Sequence, residues 1–416
     1  MVQLLRSLVL WRPLPYVLAL LCAVVIFGIH MLPSVDSMLN ENNTRISHVF
    51  LRSQINYHKE IAPFARRPLT TLLIETAQSI FKFKAGHAFI LVNFLLLGLS
   101  GALTYRLSLI LKATKKQGII NMLVFFASFS VLFAFFPPVF TYDEPLQYCF
   151  LLTAIIAFVR RRWFAFVSLF TLALVARETS ILLWPALVLF FPGTENNPPQ
   201  SLIERFKKNG LYLLLPIFLY ACYIVIFIYQ QRLLHATHIE MASRYSCFLE
   251  NIESVQNSVE SVVSILITLG PFLYFTYFYL HRKDRLHWQN KFVSAFLLTL
   301  AINTPIVFLT AFARESRLFA LPLLFIWPMF MQLFSKDIKP LFTKNAYIGF
   351  LKNWRTLLLF TCVTAANFAF CFIYYPYLGL GNNTYFAEYI FGTVLLLTIH
   401  FCNYRTLGTK ERTTVS

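Results

Sequence analysis

The chain has 416 residues, 58% of them hydrophobic and 13% charged, with a mean hydropathy of +0.63. Soluble domains carry about a quarter charged residues, so the composition excludes a soluble globular protein and indicates a polytopic membrane protein. The formal charge of +18 does not imply nucleic acid, because the cytoplasmic loops of membrane proteins carry the same Lys and Arg excess.

In chain order, apolar runs lie near 14–32, 86–111, 118–138, 145–159, 163–176, 180–192, 210–230, 259–281, 291–312, 317–335, 355–378 and 385–403. Short charged or Pro/Gly/Asn-containing breaks separate them. The alternation of an outer-membrane barrel is missing, so the spanning elements are helices. The expected fold is all-α: one transmembrane helical bundle over 1–416 with about 10 to 12 spans, three of them short between 145 and 192. Arg6 and Arg12 before Leu14 give the first run the layout of a signal sequence. It can span a bilayer and lacks a small-x-small cleavage site, which favours an uncleaved first helix.

Basic residues mark alternate breaks: Lys112/Lys115/Lys116, Arg160–Arg162, Arg205/Lys207/Lys208, Arg282/Lys283/Arg285, Lys336/Lys339/Lys344/Lys352 and Arg405/Lys410/Arg412. About 24 of the 36 Lys and Arg fall on this side against roughly 5 of the 18 acids, which places it, with both termini, in the cytoplasm. Merging 145–159 with 163–176 would bury three arginines in lipid, so the chain must turn there. On the opposite side, residues 33–85 form a long loop and 231–258 a medium one. Within the first, His48, Phe50, Leu51, Ile55 and Tyr57 mix with Arg45, Arg52 and Lys59 at helical spacing, as in an interfacial helix. Pro68 suits the start of a second helix over Leu69–Phe81. The sequons at Asn42 and Asn382 are glycosylation candidates only in a eukaryotic secretory membrane. The seven cysteines are scattered, without metal-ligand spacing.

The acids beside apolar runs gather on this second side, mostly near arginines. Asp36, just after the first run, suits a base toward a hydroxyl, a solvated loop acid or a helix cap. Arg66 and Arg67, before Pro68, suit phosphate oxygens or a headgroup anchor. Asp143 and Glu144 are read as substrate-orienting acids, metal ligands or helix caps. Arg177–Glu178 is an ion pair at bilayer depth, structural or functional. Arg314, Glu315 and Arg317 leave one positive charge over for an anion. Carboxylates and arginines at one membrane face suit a substrate with hydroxyls and phosphate, such as a lipid-linked phosphosugar.

This order of residues resembles the GT-C superfamily of integral-membrane glycosyltransferases, which includes protein O-mannosyltransferase-like and aminoarabinose transferase-like enzymes. Asp36 stands in the place of the family's catalytic acid. Ala62–Leu69 is similar to its Arg-then-Pro loop, Tyr142–Pro145 through Ala176–Thr179 to its D…(R/K)…RE succession, and Arg314–Phe319 to its late E-x-R segment. The lone Asp36 and the lack of a soluble domain after the last run depart from the better-defined branches. The resemblance implies a polyprenyl-phosphate or diphosphate sugar donor, a glycan, lipid or protein acceptor and an extracytoplasmic site in a bacterial inner membrane. Asp36 would be the base; Arg66, Arg67, Arg177, Arg314 and Arg317 would bind donor phosphate. Asp143, Glu144, Glu178 and Glu315 would orient substrate, with a divalent metal left open. A transporter or flippase of an anionic or lipid-linked substrate, and an O-antigen ligase or polymerase, are the competing readings.

Overall fold

The computed structural model describes residues 13–36, 39, 46–132, 142–190, 202–232, 239, 244, 246–282, 284–342, 353–380 and 385–413. The sequons, the Pro137–Pro138 pair, Arg6 and Arg12 lie outside these residues. Among the described residues the chain is helical, with one isolated bridge between Val35 and Ile46.

The main helices are α1 Leu14–Ile26, α2 His48–Glu60, α3 Pro68–Phe81, α4 Ala85–Ile110, α5 Lys115–Ala127, α6 Glu144–Val159 and α7 Trp163–Ala176. They continue with α8 Leu202–Gln230, α9 Val255–Leu280, α10 His287–Thr310, α11 Phe330–Ile338, α12 Trp354–Ala369 and α13 Phe386–Thr413. Among the described residues, seven segments are long and apolar enough to cross a membrane: Leu14–Ser34, Ala85–Ile110, Gly210–Gln230, Val255–Leu280, His287–Thr310, Trp354–Tyr377 and Phe386–Arg405. Three shorter apolar segments, Glu144–Val159, Trp163–Ala176 and Glu178–Phe190, accompany them. Segment 33–85 holds α2 and α3, the second starting at Pro68, where the missing N–H costs a helix nothing.

Helix α4 is the central post, packed by α1, α2, α3, α5 and α6. Helix α6 is buried around nearly its whole circumference, from Glu144 to Phe158, which explains why it is apolar on every side. The most exposed spans are the reverse: only 11% of the Gly210–Gln230 window and 17% of the Trp354–Tyr377 window is buried, leaving apolar surface suited to hydrocarbon.

The apolar run 317–335 is not one helix. It passes through the interior as 3-10 turns Ser316–Phe319, Leu321–Phe325 and Trp327–Met329 before α11. Pro322 and Pro328 remove two backbone donors from this stretch. Polar side chains then meet the irregular backbone: the Asn121 amide donates to the Pro328 carbonyl at 2.7 Å, and the Met331 N–H donates to Asn121 at 2.8 Å. The Trp327 indole donates to Ser128 at 2.8 Å. Such backbone is tolerated at membrane depth because protein surrounds it.

Candidate functional site

Each charged turn is set by a helix end. Residue Asp143 occupies the N-cap position of α6 but makes no side-chain cap hydrogen bond, while the Tyr142 N–H donates to Glu144 at 3.3 Å. Helix α7 stops after Ala176, and Arg177 is extended (φ −160°, ψ 119°) before the 3-10 turn Glu178–Leu183. Gln147 on α6 holds that turn by donating to Ser180 at 2.9 Å and Thr179 at 3.2 Å. Around the late turn, the Asn251 amide donates to the carbonyls of Phe308 and Ala311, both at 2.9 Å, and its oxygen accepts from the Ala313 N–H at 2.9 Å. Asn303 donates to the Leu318 carbonyl at 3.0 Å.

These turns meet in one charge network. Glu178 accepts from Arg66 at 3.0 Å, from Nε of Arg67 at 2.7 Å and from a second Arg67 nitrogen. Arg67 also lies 3.8 Å from Asp143. Glu144 pairs with Arg177 and with Nε of Arg317 at 3.2 Å, and Arg317 pairs onward with Glu315 at 2.9 Å. Four arginines thus face four carboxylates. Their side chains are 2–22% exposed, a depth at which charges survive only when paired. Tyr223 of α8 ties in by donating to the Arg66 carbonyl at 2.9 Å.

The structure corrects the pairing expected between Arg177 and Glu178. Neighbours in extended backbone project to opposite sides, so Glu178 takes Arg66 and Arg67 while Arg177 takes Glu144. The expectation that Arg66 and Arg67 stand ready for phosphate also changes, since both are engaged by Glu178.

Two expected residues take no part in these ion pairs among the described residues. Arg314 is exposed and forms no ion pair among the described residues; its guanidinium sits 4.9 Å over the Phe312 ring, and Ser264 donates to its carbonyl at 3.3 Å. Asp36 is half-buried; its N–H donates to the Ile46 carbonyl at 2.9 Å, and its Oδ2 has no hydrogen-bond partner among the described residues. Val35 beside it packs on the apolar cluster that includes Tyr142.

Burial pushes the Asp143 carboxyl up to about 7, against the opposing pull of Arg67. At neutral pH this acid is therefore poised between its charged and neutral forms, a property concentrated at functional sites. Among the described residues no group of three or more His, Cys, Asp or Glu side chains is disposed to hold a metal ion.

One residue escaped the sequence reading. His58 stacks on Tyr142 with ring centroids 3.6 Å apart and planes 10° from parallel, and Phe64 meets its edge at 5.1 Å. The available signal was the spacing His48, Leu51, Ile55, His58, which continues the buried face of α2.

An apolar cavity of about 550 Å³ opens between α5, α9, α11 and α13, lined by residues including Val124, Phe129, Pro271, Phe275 and Leu396. Its Phe129 end belongs to the short helix Phe129–Leu132, which packs against the turn carrying Arg317.

No protein-family model, curated protein or solved structure matches the chain.

Proposed function

We propose that this chain is a GT-C-type membrane glycosyltransferase, moving a sugar from a polyprenyl-phosphate or diphosphate donor to a lipid, glycan or protein acceptor at the extracytoplasmic face of a bacterial inner membrane. The observation that carries the reading is the convergence of arginines and carboxylates from four distant turns on one buried network, with an exposed arginine, Arg314, in one of those turns. The positive-inside pattern supports the outward side.

The network divides the expected roles. Arg66, Arg67, Arg177 and Arg317 each pair with a carboxylate of the network, so they are committed to holding the turns together. Arg314 is exposed, in the same turn as Glu315 and Arg317, and offers its guanidinium to a donor phosphate. The apolar cavity, whose Phe129 end belongs to a short helix packed against this turn, suits the isoprenoid chain of the same donor. A departing phosphate needs cationic stabilisation, and an attacking hydroxyl needs a base.

The test is chemical. A strain lacking the protein accumulates a lipid-linked sugar detectable by mass spectrometry; the wild-type chain clears it. Arg314→Ala leaves it accumulating, with transfer reduced about 10²-fold, as for loss of one oxyanion donor, and the folded yield unchanged. An unaltered lipid-linked pool in the deletion strain would sink the reading.

A further inference from the structure

Helix α2 delivers an imidazole to the network that no role above uses. The Nδ1 of His58 lies 2.9 Å from the Gln54 carbonyl one turn earlier. A carbonyl only accepts, so Nδ1 carries the proton, and in the neutral ring the Nε2 lone pair is left as the acceptor. The stack on Tyr142 fixes the ring plane, and Tyr142 is itself held by a 2.9 Å hydrogen bond between its hydroxyl and Thr71. Asp143 and Glu144 follow Tyr142 directly but are 2–3% exposed, too enclosed to meet an incoming hydroxyl. His58 is only half-buried. It is a partly accessible base beside the enclosed acids, and it would take the role that the resemblance gives Asp36.

The charges around it suit a ring kept neutral at rest. Burial lowers its pKa to about 4, with Arg67 and Arg317 acting in the same direction; the Gln54 hydrogen bond and Glu144 act against them. Lys59 and Glu60 flank it on its own helix, and Lys59 is engaged by Glu75 of α3 at 2.6 Å. A proton arriving on the ring would find Glu144 as its stabilising carboxylate.

Resting on the glycosyl-transfer reading, we propose that Nε2 of His58 takes the proton of the acceptor hydroxyl. The hydroxyl oxygen bonds to the anomeric carbon of the sugar. The bond from that carbon to the phosphate oxygen breaks, and the phosphate leaves with the electron pair. The imidazolium then releases its proton to water, and the ring returns neutral.

His58→Phe tests this, because it keeps the stacked ring and removes the nitrogen. The full-length protein is assayed in membranes of the deletion strain, with the lipid-linked sugar they accumulate as donor. The variant is expected to unfold at the wild-type temperature but to transfer about 10²–10⁴-fold more slowly, as for loss of a general base. Its residual rate should rise about tenfold per pH unit as hydroxide replaces the base, whereas the wild-type rate is level above about pH 5. Wild-type transfer together with a His58→Phe rate and pH profile that match it would overturn the role of His58 and leave the transferase reading standing. No consumption of any lipid-linked sugar by the wild type would overturn both. If His58→Phe does not fold, diethyl pyrocarbonate treatment of the wild type decides. Carbethoxylation at His58 with parallel loss of transfer, both reversed by hydroxylamine, supports the proposal; an unmodified His58, or transfer that survives its modification, overturns it.

Discussion

Two charged regions of this molecule follow different rules. Around Glu144, side chains from the turns near 66, 143, 177 and 315 share partners in a chain of contacts at 2–22% exposure. Past the C-terminal end of α9, the charges pair one to one. Arg282 pairs with Asp337 of α11 and also donates to the Leu333 carbonyl at 2.9 Å, while Lys336 and Asp284 meet at 66% and 57% exposure. Solvent screens the last pair, and such surface contacts contribute little. In the network each partner lost leaves another charge buried, and the cost passes to the next turn. A set of ions that costs this much to assemble and still closes on itself fixes geometry more than it adds net stability.

That contrast can be broken at its strongest point. Glu178→Ala strips Arg66 and Arg67 of the carboxylate they share, and the expected loss is about 3–5 kcal/mol, read as a lower Tm in detergent or as loss of the monodisperse protein. A Tm equal to wild type would mean that water reaches these arginines and that the network is no network.

A subtler expectation concerns pH. Asp143 is held up at about 7, above the ordinary value of 3.8. Between the two, the unfolded chain has released this proton and the folded chain retains it, so the group's contribution to stability falls as pH rises from about 4 to about 7 and is level beyond. Asp143→Asn has no such ionisation. Its Tm should decline less than that of wild type over that interval; parallel curves would show that Asp143 ionises as it does in the unfolded chain.

The smallest effect is expected at the other region. Asp284→Ala should leave Tm unchanged within measurement, because its partner Lys336 is solvated. A clear drop would erase the distinction between the two regions.

Much of this was open to reading in one dimension. Of the roughly 10 to 12 spans expected, the seven long apolar helices follow from hydrophobic run length, and the turns at Arg160–Arg162, Arg177 and Arg314 follow from the cost of charge in lipid. The start of α3 at Pro68 was legible from the missing N–H. Three features were not. The run 317–335 is apolar enough to suggest a span, yet the protein around it, not lipid, takes up that surface, and its prolines break the helix. His58 continues an amphipathic pattern, and a histidine on a buried face is usually packing, so the pattern alone does not mark it as functional. Adjacency suggested that Arg177 pairs with Glu178, whereas extended backbone turns neighbours apart.

The sequence by itself thus determined which segments are long and apolar enough to span a membrane and where the chain must turn, because those are local free energies of transfer, summed over about twenty residues at a time. Only the tertiary structure decided which charge meets which. Arg67 and Glu178 are 111 positions apart, and their contact exists because α3, which Arg67 precedes, packs against α7, which Glu178 follows. Coulomb energy at that depth depends on separations of a few ångströms, a quantity that run lengths and loop charges do not contain.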